Sequence, residues 1–240
     1  MVQRSLCLLA MTSTPTRAPR PVLFDLDGTL ADTIPLLLAS MRAAYAAVGG
    51  AVPEERAWLR GMGTPLRAQF MHFESQDLSR VDPLIEVYRE WQIANLAAFV
   101  TEYDGIRPLL TALQAAGHPI AVVTGKGDRM ARMTLAHVDL LSPFEVIVGA
   151  EATTRHKPDP DPLLIGAERL GVVAAGAIYV GDAPNDVLAA RAAGMIDVWA
   201  AWGPFPASEL AEFTPTYTLH TPMELLALLE QLDAGESAPS

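Results

Sequence analysis

"PVLFDLDGTLADT", residues 21–33, sets three carboxylates directly behind a short apolar run. Asp25 and Asp27 stand two apart, Gly28 and Thr29 follow, and Asp32 comes close behind. The apolar "PVLF" reads as a short buried strand. Such a strand has no electrostatic reason to end on a cluster of like charges. Either the acids are solvated loop residues, or something positive sits among them. The rest of the chain decides which.

After residue 32 comes a block without strand character. "IPLLLASMRAAYAAVGG" and "VDPLIEVYREWQIANLAAFV" are long, rich in Ala and Leu, and helical in period. Gly49-Gly50 marks a helix stop. Residues 33–99 are therefore expected to form a helical subdomain inserted after the first strand.

From Tyr103 onward helix and strand alternate. "DGIRPLLTALQAAG" places Ile106, Leu109, Leu110 and Leu113 at i, i+3, i+4, i+7, and Gly117 closes that helix. "PIAVVT", "FEVIV", "AIYV" and "DVWAA" are compact β-rich runs. Between and after them lie helical segments at about 127–137, in "DPLLIGAERLG", in "PNDVLAARAAG" and in "TPMELLALLEQL". Strands rich in Val and Ile, each followed by a helix, predict a parallel sheet covered on both faces. The expected fold is thus α/β, with a Rossmann-like parallel-sheet core at 21–32 and 100–232 and a helical insert. Residues 1–20 and 233–240 read as tails.

The bulk numbers narrow the function. The chain has 240 residues, half of them hydrophobic and 19% charged, so a sizeable core is expected. A formal net charge of −11 argues against a nucleic-acid partner or an anionic membrane surface, both of which require Lys/Arg excess. A small anionic ligand remains compatible, because a bound metal ion reverses the sign locally. Cys7 is the only cysteine, so no disulfide framework exists and a reducing, cytoplasmic setting is expected. The apolar run Leu6–Met11 is too short for an export signal, and no stretch approaches the roughly 18 apolar residues of a membrane span.

In an open parallel sheet, ligands bind at the carboxyl ends of the strands. Asp25 and Asp27 follow the first strand, Thr124 ends "IAVVTGK", Lys157 lies beyond "FEVIVGAE", and Asp182 ends "AIYVGDAPND" with Asp186 four residues on. This set suits phosphoryl transfer. A carboxylate attacking a phosphate dianion meets a repulsion of roughly 8 kcal/mol at 4 Å and an effective dielectric of 20. A divalent cation on oxygen ligands, together with a lysine, offsets that barrier, and Mg²⁺ favours such hard ligands.

The order DxDGT, Thr after the next strand, Lys before Pro, then GDxxxD resembles the haloacid dehalogenase superfamily of phosphatases over about residues 21–232. The layout of "YDGIRPLLTALQAAG" and "HKPDPDPL" is most similar to its phosphoglycolate phosphatase-like members. The resemblance implies that Asp25 is the nucleophile and Asp27 the general acid/base. It also implies that Thr124 and the Gly125 N–H hold phosphate oxygens, and that Lys157 pairs with phosphate and Asp25. It implies Mg²⁺ on Asp25, the Asp27 carbonyl and Asp182, with Asp186 nearby, and a helical cap at 33–99. Gly125 stands where relatives often carry Asn or Ser, and Ala183 where they often carry Ser or Thr.

Each residue alone has an ordinary reading. A lone DxD is common in solvated loops, Thr124 can satisfy a strand end, and Lys157 can be a surface lysine. Asp186 opens a helix, where a carboxylate meets the macrodipole favourably. Four motifs in register outweigh these readings. In the loop "LRGMGTPLRAQF", Arg60 and Arg67 are the candidates for contacting a substrate carboxylate. The histidines show no ligand-like pairing. The expected partner is a small phosphorylated metabolite, 2-phosphoglycolate first, bound by a monomer or homodimer. A sugar phosphomutase shares every core motif and stays open, as does a phospho-accepting receiver module, which lacks a helical cap. Asp27 argues against dehalogenation, and the absence of any Lys before Lys126 argues against phosphonate cleavage.

Overall fold

The computed structural model describes residues 18–210 and 212–235. The chain opens with β1 (Val22–Phe24), whose three residues are all buried. A short β2 (Ala31–Asp32) leads into four helices: α1 (Ile34–Val48), α2 (Glu55–Leu59), α3 (Leu66–Phe73) and α4 (Leu78–Phe99). β3 (Thr101–Glu102) then pairs antiparallel with β2. The helical block therefore leaves and rejoins the rest of the chain through one two-stranded ribbon. The alternating half follows with α5 (Ile106–Ala115), β4 (Ile120–Val123), α6 (Asp128–His137) and β5 (Val146–Val148). It continues with α7 (Asp161–Leu170), β6 (Ile178–Gly181), α8 (Pro184–Ala192) and β7 (Ile196–Ala200), and ends with α9 (Ala207–Leu210), β8 (Tyr217–Leu219) and α10 (Glu224–Asp233).

Six strands form one parallel sheet in the order β5-β4-β1-β6-β7-β8. β1 is central, with Phe24 registered against Val122 of β4 and Val180 of β6. Parallel strands bring their carboxyl ends to one rim, so the residues that follow β1, β4 and β6 become neighbours. The ladder also runs one residue past the strands. The Asp25 N–H donates to the Val180 carbonyl and the Thr124 N–H to the Val148 carbonyl, both at 2.9 Å. Two rim residues are thereby fixed by main-chain bonds before their side chains do anything.

Period-2 alternation sorts the strand residues between two layers. Val22 and Phe24 pack with Leu109, Leu110 and Leu113 of α5 and Leu228 of α10. Leu23 points the other way, among Leu163 of α7, Tyr179 and Ala189 of α8. The helical block carries a cluster of its own around Tyr45, Trp58, Phe70 and Tyr88, with the Trp58 and Phe70 rings 4.9 Å apart. Offset and edge-on aromatic contacts of this kind hold the four helices to one another.

The structure departs from the sequence-based expectation at the margins. β8 carries one buried residue in three, so it lacks an apolar run, and β2 and β3 are too short to show periodicity. Arg20 belongs to the folded body rather than a tail. It is buried, donates to the Gly176 carbonyl, and its own carbonyl meets His118 Nδ1 at 2.8 Å. Asp233, the first residue of the expected C-terminal tail, still belongs to α10. Residues 1–17 and 236–240 of the expected tails, and Cys7 with them, lie outside the described residues. Among the described residues no helix is long and apolar enough to cross a membrane.

Candidate active site

The end of β1 delivers Asp25 and the end of the adjacent β6 delivers Asp182; both are buried, at 4% and 0% exposure. Lys157 arrives from the loop between β5 and α7, and Asp186 from the first turn of α8, at 2% and 1%. Three carboxylates and one ammonium thus meet beneath the rim. Lys157 Nζ lies 2.6 Å from Asp186 Oδ1, 3.0 Å from the Tyr179 hydroxyl and 3.2 Å from Asp25 Oδ1. The last is an ion-pair approach without hydrogen-bond alignment, which leaves Asp25 Oδ1 without a hydrogen-bond donor.

The charge balance of this cluster is incomplete. Burial by itself would depress Lys157, yet the Asp186 and Asp25 carboxylates outweigh it and hold the ammonium well above its ordinary pKa. Burial pushes Asp25 up to about 7; Lys157 opposes this, while the charges of Asp186 and Asp27 add to it. Burial, then Asp186 and Asp25, raise Asp182 well above the usual carboxylate range. Buried acids raised in this way lack positive charge.

A cation would supply it. Carboxylate oxygens of Asp25, Asp182 and Asp186 lie within 4.8 Å of one another. Asp182 Oδ1 accepts from Thr29 Oγ1 at 2.9 Å, but its buried Oδ2 has no donor. Orphaned oxygens in an oxygen-only group fit a hard divalent ion. Asp186 is the most committed of the three. Its Oδ1 takes Lys157, and its Oδ2 accepts from the Ala183 N–H at 2.9 Å. The carboxylate therefore orients the lysine and satisfies a donor at the start of α8, where the helix dipole also favours it. Gly28, with φ +83°, is required beside this group, since a Cβ there would fall 2.5 Å from Asp182 Oδ2.

Above the cluster a cavity of about 510 Å³ opens between the helical block and the rim. Asp25, Asp27, Thr124 and Gly125 line it together with Trp58 and Tyr88. Asp27 is held by three bonds: Lys126 Nζ reaches its two oxygens at 2.7 and 2.9 Å, and Thr33 Oγ1 donates at 2.7 Å. Thr124 Oγ1 accepts from the Lys126 N–H at 3.2 Å. The loop of the block at residues 61–65 rests directly on this floor. A Cβ at Gly125 would collide with the Gly63 carbonyl, and one at Gly63 would lie 3.7 Å from Lys157 Cε. That contact is the physical reason for glycine at 125.

The two loop arginines divide. Arg67 lines the cavity, although its guanidinium also pairs with Asp82 at 2.6 Å. Arg60 lies outside it. With Arg56 it turns to Glu209 of α9, 3.3 Å away, so the structure does not bring Arg60 together with the other candidates. Sequence reasoning missed Lys126, Thr29, Thr33 and Tyr179. Lys126 follows Gly125 on the rim already singled out, and Thr29 and Thr33 lie within the opening stretch, so position marked them. Tyr179 carried no signal, because its role comes from a hydroxyl that reaches both Lys157 and, at 2.8 Å, the Val123 carbonyl.

Comparison with known proteins agrees with this geometry. Residues 22–200 match the family model described as haloacid dehalogenase-like hydrolase. The chain is 39% identical over 188 residues to a phosphoglycolate phosphatase of Xylella fastidiosa, covering 77% of this chain and 81% of that protein. It is 33% identical over 215 residues to PpaX, a candidate pyrophosphatase of Clostridium perfringens, covering 90% and 99%. Among solved structures, a predicted phosphatase from Clostridium acetobutylicum superposes with a TM-score of 0.78 at 27% identity, covering 89% of this chain and all of that one. The chain belongs to the haloacid dehalogenase-like hydrolases, beside their phosphoglycolate phosphatase-like members.

Proposed function

We propose that this protein is a Mg²⁺-dependent phosphomonoester hydrolase that works through a phosphoaspartate on Asp25, with 2-phosphoglycolate as the first substrate to test. One observation carries the reading: Asp25, Lys157 and the Asp182/Asp186 pair, from three separate segments, meet in one buried cluster under a cavity. The single cysteine and the acidic charge accord with a cytoplasmic enzyme acting on a small metabolite.

In the mechanism, Asp25, Asp182 and the main chain at Asp27 would hold Mg²⁺, with Asp186 behind them. Bound there, the ion offsets the repulsion between the Asp25 carboxylate and the phosphate dianion. Lys157 adds a second positive charge, which favours the ionised form of Asp25 and aims it. A carboxylate oxygen of Asp25 attacks phosphorus, the bond from phosphorus to the leaving oxygen breaks, and Asp27 gives that oxygen its proton. Thr124 Oγ1 and the Gly125 N–H bind phosphate oxygens as charge shifts. Asp27, now a base, takes a proton from water; the water oxygen attacks phosphorus, and Asp25 leaves as carboxylate with inorganic phosphate. Lys126 and Thr33 keep Asp27 at the edge of the cavity. The helical block at 33–99 serves as the cap that limits water. That block also separates this reading from a receiver module.

The test is a panel of phosphorylated metabolites assayed with Mg²⁺ and with EDTA. Hydrolysis that EDTA abolishes and Mg²⁺ restores supports the proposal, and inactivity toward every ester would overturn it.

A further inference from the structure

Arginine pairing in this chain is uneven in a way that acid excess does not explain. Carboxylates outnumber basic side chains by 28 to 17. Most described arginines accordingly have an acidic partner: Arg42 takes Glu55, Arg80 takes Glu74, Arg107 takes Glu102, and Arg191 takes Asp197. Among the described residues, the arginines without a carboxylate partner are Arg89, Arg129 and Arg169. Arg89 and Arg129 both line the cavity above Asp25. They come from different elements, Arg89 from α4 of the helical block and Arg129 from α6 on the sheet side.

The acids that share this cavity are otherwise engaged. Asp27 is bonded to Lys126, and Glu151 Oε2 accepts from the Asp128 N–H at 2.8 Å. One turn along α4 from Arg89 stands Gln92, which lines the same space at 3% exposure and makes no hydrogen bond among the described residues. With no protein partner and a place in the cavity lining, this amide is available to hydrogen-bond whatever the cavity holds. Two unpaired guanidiniums and an unpartnered amide describe a place for an anion with hydrogen-bond acceptors.

We propose that Arg89, Gln92 and Arg129 form an anion subsite that receives a second negative group on the leaving part of the substrate. This rests on the phosphatase reading above and narrows it: the favoured substrates carry a carboxylate or a second phosphoryl group beside the scissile phosphate. Arg89 belongs to the helical block and Arg129 to the core, so a ligand held by both also ties the two together over Asp25. The subsite sets specificity and takes no part in bond making or breaking.

Steady-state kinetics with three substrates test it: 2-phosphoglycolate for a carboxylate, pyrophosphate for a phosphoryl group, and ethyl phosphate for a neutral leaving group. Arg89→Ala and Arg129→Ala both alter exposed side chains, so folding is not at stake, and Arg169→Ala on α7 is the control. The wild type should prefer at least one anionic substrate to ethyl phosphate in kcat/KM. Each cavity variant should shrink that preference on the order of 10- to 100-fold, as expected for hydrogen bonds to a charged group, mainly through KM. Arg169→Ala should leave the ratio at the wild-type value. The substrate with the larger loss identifies the anion. If the wild type hydrolyses all three with equal efficiency, or the variants keep the wild-type ratio, the subsite is wrong while the phosphatase reading stands. If no ester is hydrolysed at all, both fail.

Discussion

The carbonyl of Gly63 occupies the space that a side chain at Gly125 would need. Gly63 belongs to the helical block and Gly125 to the loop after β4, so this contact seats the block on the loop that floors the cavity. Gly125→Ser should push the two apart. We expect a loss of stability of about 1–3 kcal/mol, the usual result of overpacking, together with a fall in kcat/KM. Thermal melts and kinetics check both; a serine variant with wild-type melting and turnover would show that the contact does not matter.

Lys126 spans both oxygens of Asp27. Lys126→Met removes the charge but keeps most of the stem. Its kcat should fall by about 10-fold or more, toward the range general acid/base catalysis supplies, while Lys126→Arg should retain more. Equal activity of the Met and Arg variants would deny Lys126 a part in placing Asp27.

Lys157 is the only described cation inside the acid cluster, within reach of Asp25 and Asp186. Removing one partner from a buried charge group leaves the others uncompensated, so Lys157→Met should cost about 3–5 kcal/mol without metal. Asp186→Asn should cost less, because an amide still accepts one hydrogen bond. Urea melts of both variants in EDTA give the order, and the reverse order would contradict this charge balance.

The pKa of Asp25 sets a pH signature. Burial raises it from 3.8 to about 7, so the folded state keeps a proton that the unfolded state has already lost. Where the native state binds more protons, stability falls as pH rises. The metal-free protein should therefore lose stability between about pH 4 and pH 7. Mg²⁺ held at Asp25, as proposed, would compete with that proton, so the rise in Tm on adding it should be larger at pH 8 than at pH 5. Thermal scans with EDTA and with Mg²⁺ measure this; an equal shift at both values would contradict it.

The opening stretch made much of this site readable. An apolar run ending on Asp25 and Asp27 is legible because strand burial and clustered charge conflict locally. Lys157 and Asp182 became legible only through the parallel sheet, which turns residues far apart in sequence into neighbours on one rim. The direction of Arg60 was hidden for the opposite reason. Loop position marks a side chain as near a cleft but does not give its direction, and Glu209, roughly 150 positions away, supplies that direction here. Arg89 and Gln92 were equally hidden, since a polar face on α4 reads as solvent until another element is placed against it. β8 was lost because a three-residue edge strand has too few side chains to show a period.

The proposed covalent transfer of phosphate to Asp25 has a direct test. p-Nitrophenyl phosphate needs no acid to release its leaving group, so Asp27→Asn should still be phosphorylated but lack the base that completes turnover. Mixing that variant with p-nitrophenyl phosphate and Mg²⁺ should release about one equivalent of nitrophenolate per active site. The peptide carrying Asp25 should gain the mass of one phosphoryl group. Asp25→Ala should show neither the burst nor the adduct. Hydrolysis by Asp25→Ala at the wild-type rate, or a phosphoryl group found on another residue, would contradict the mechanism.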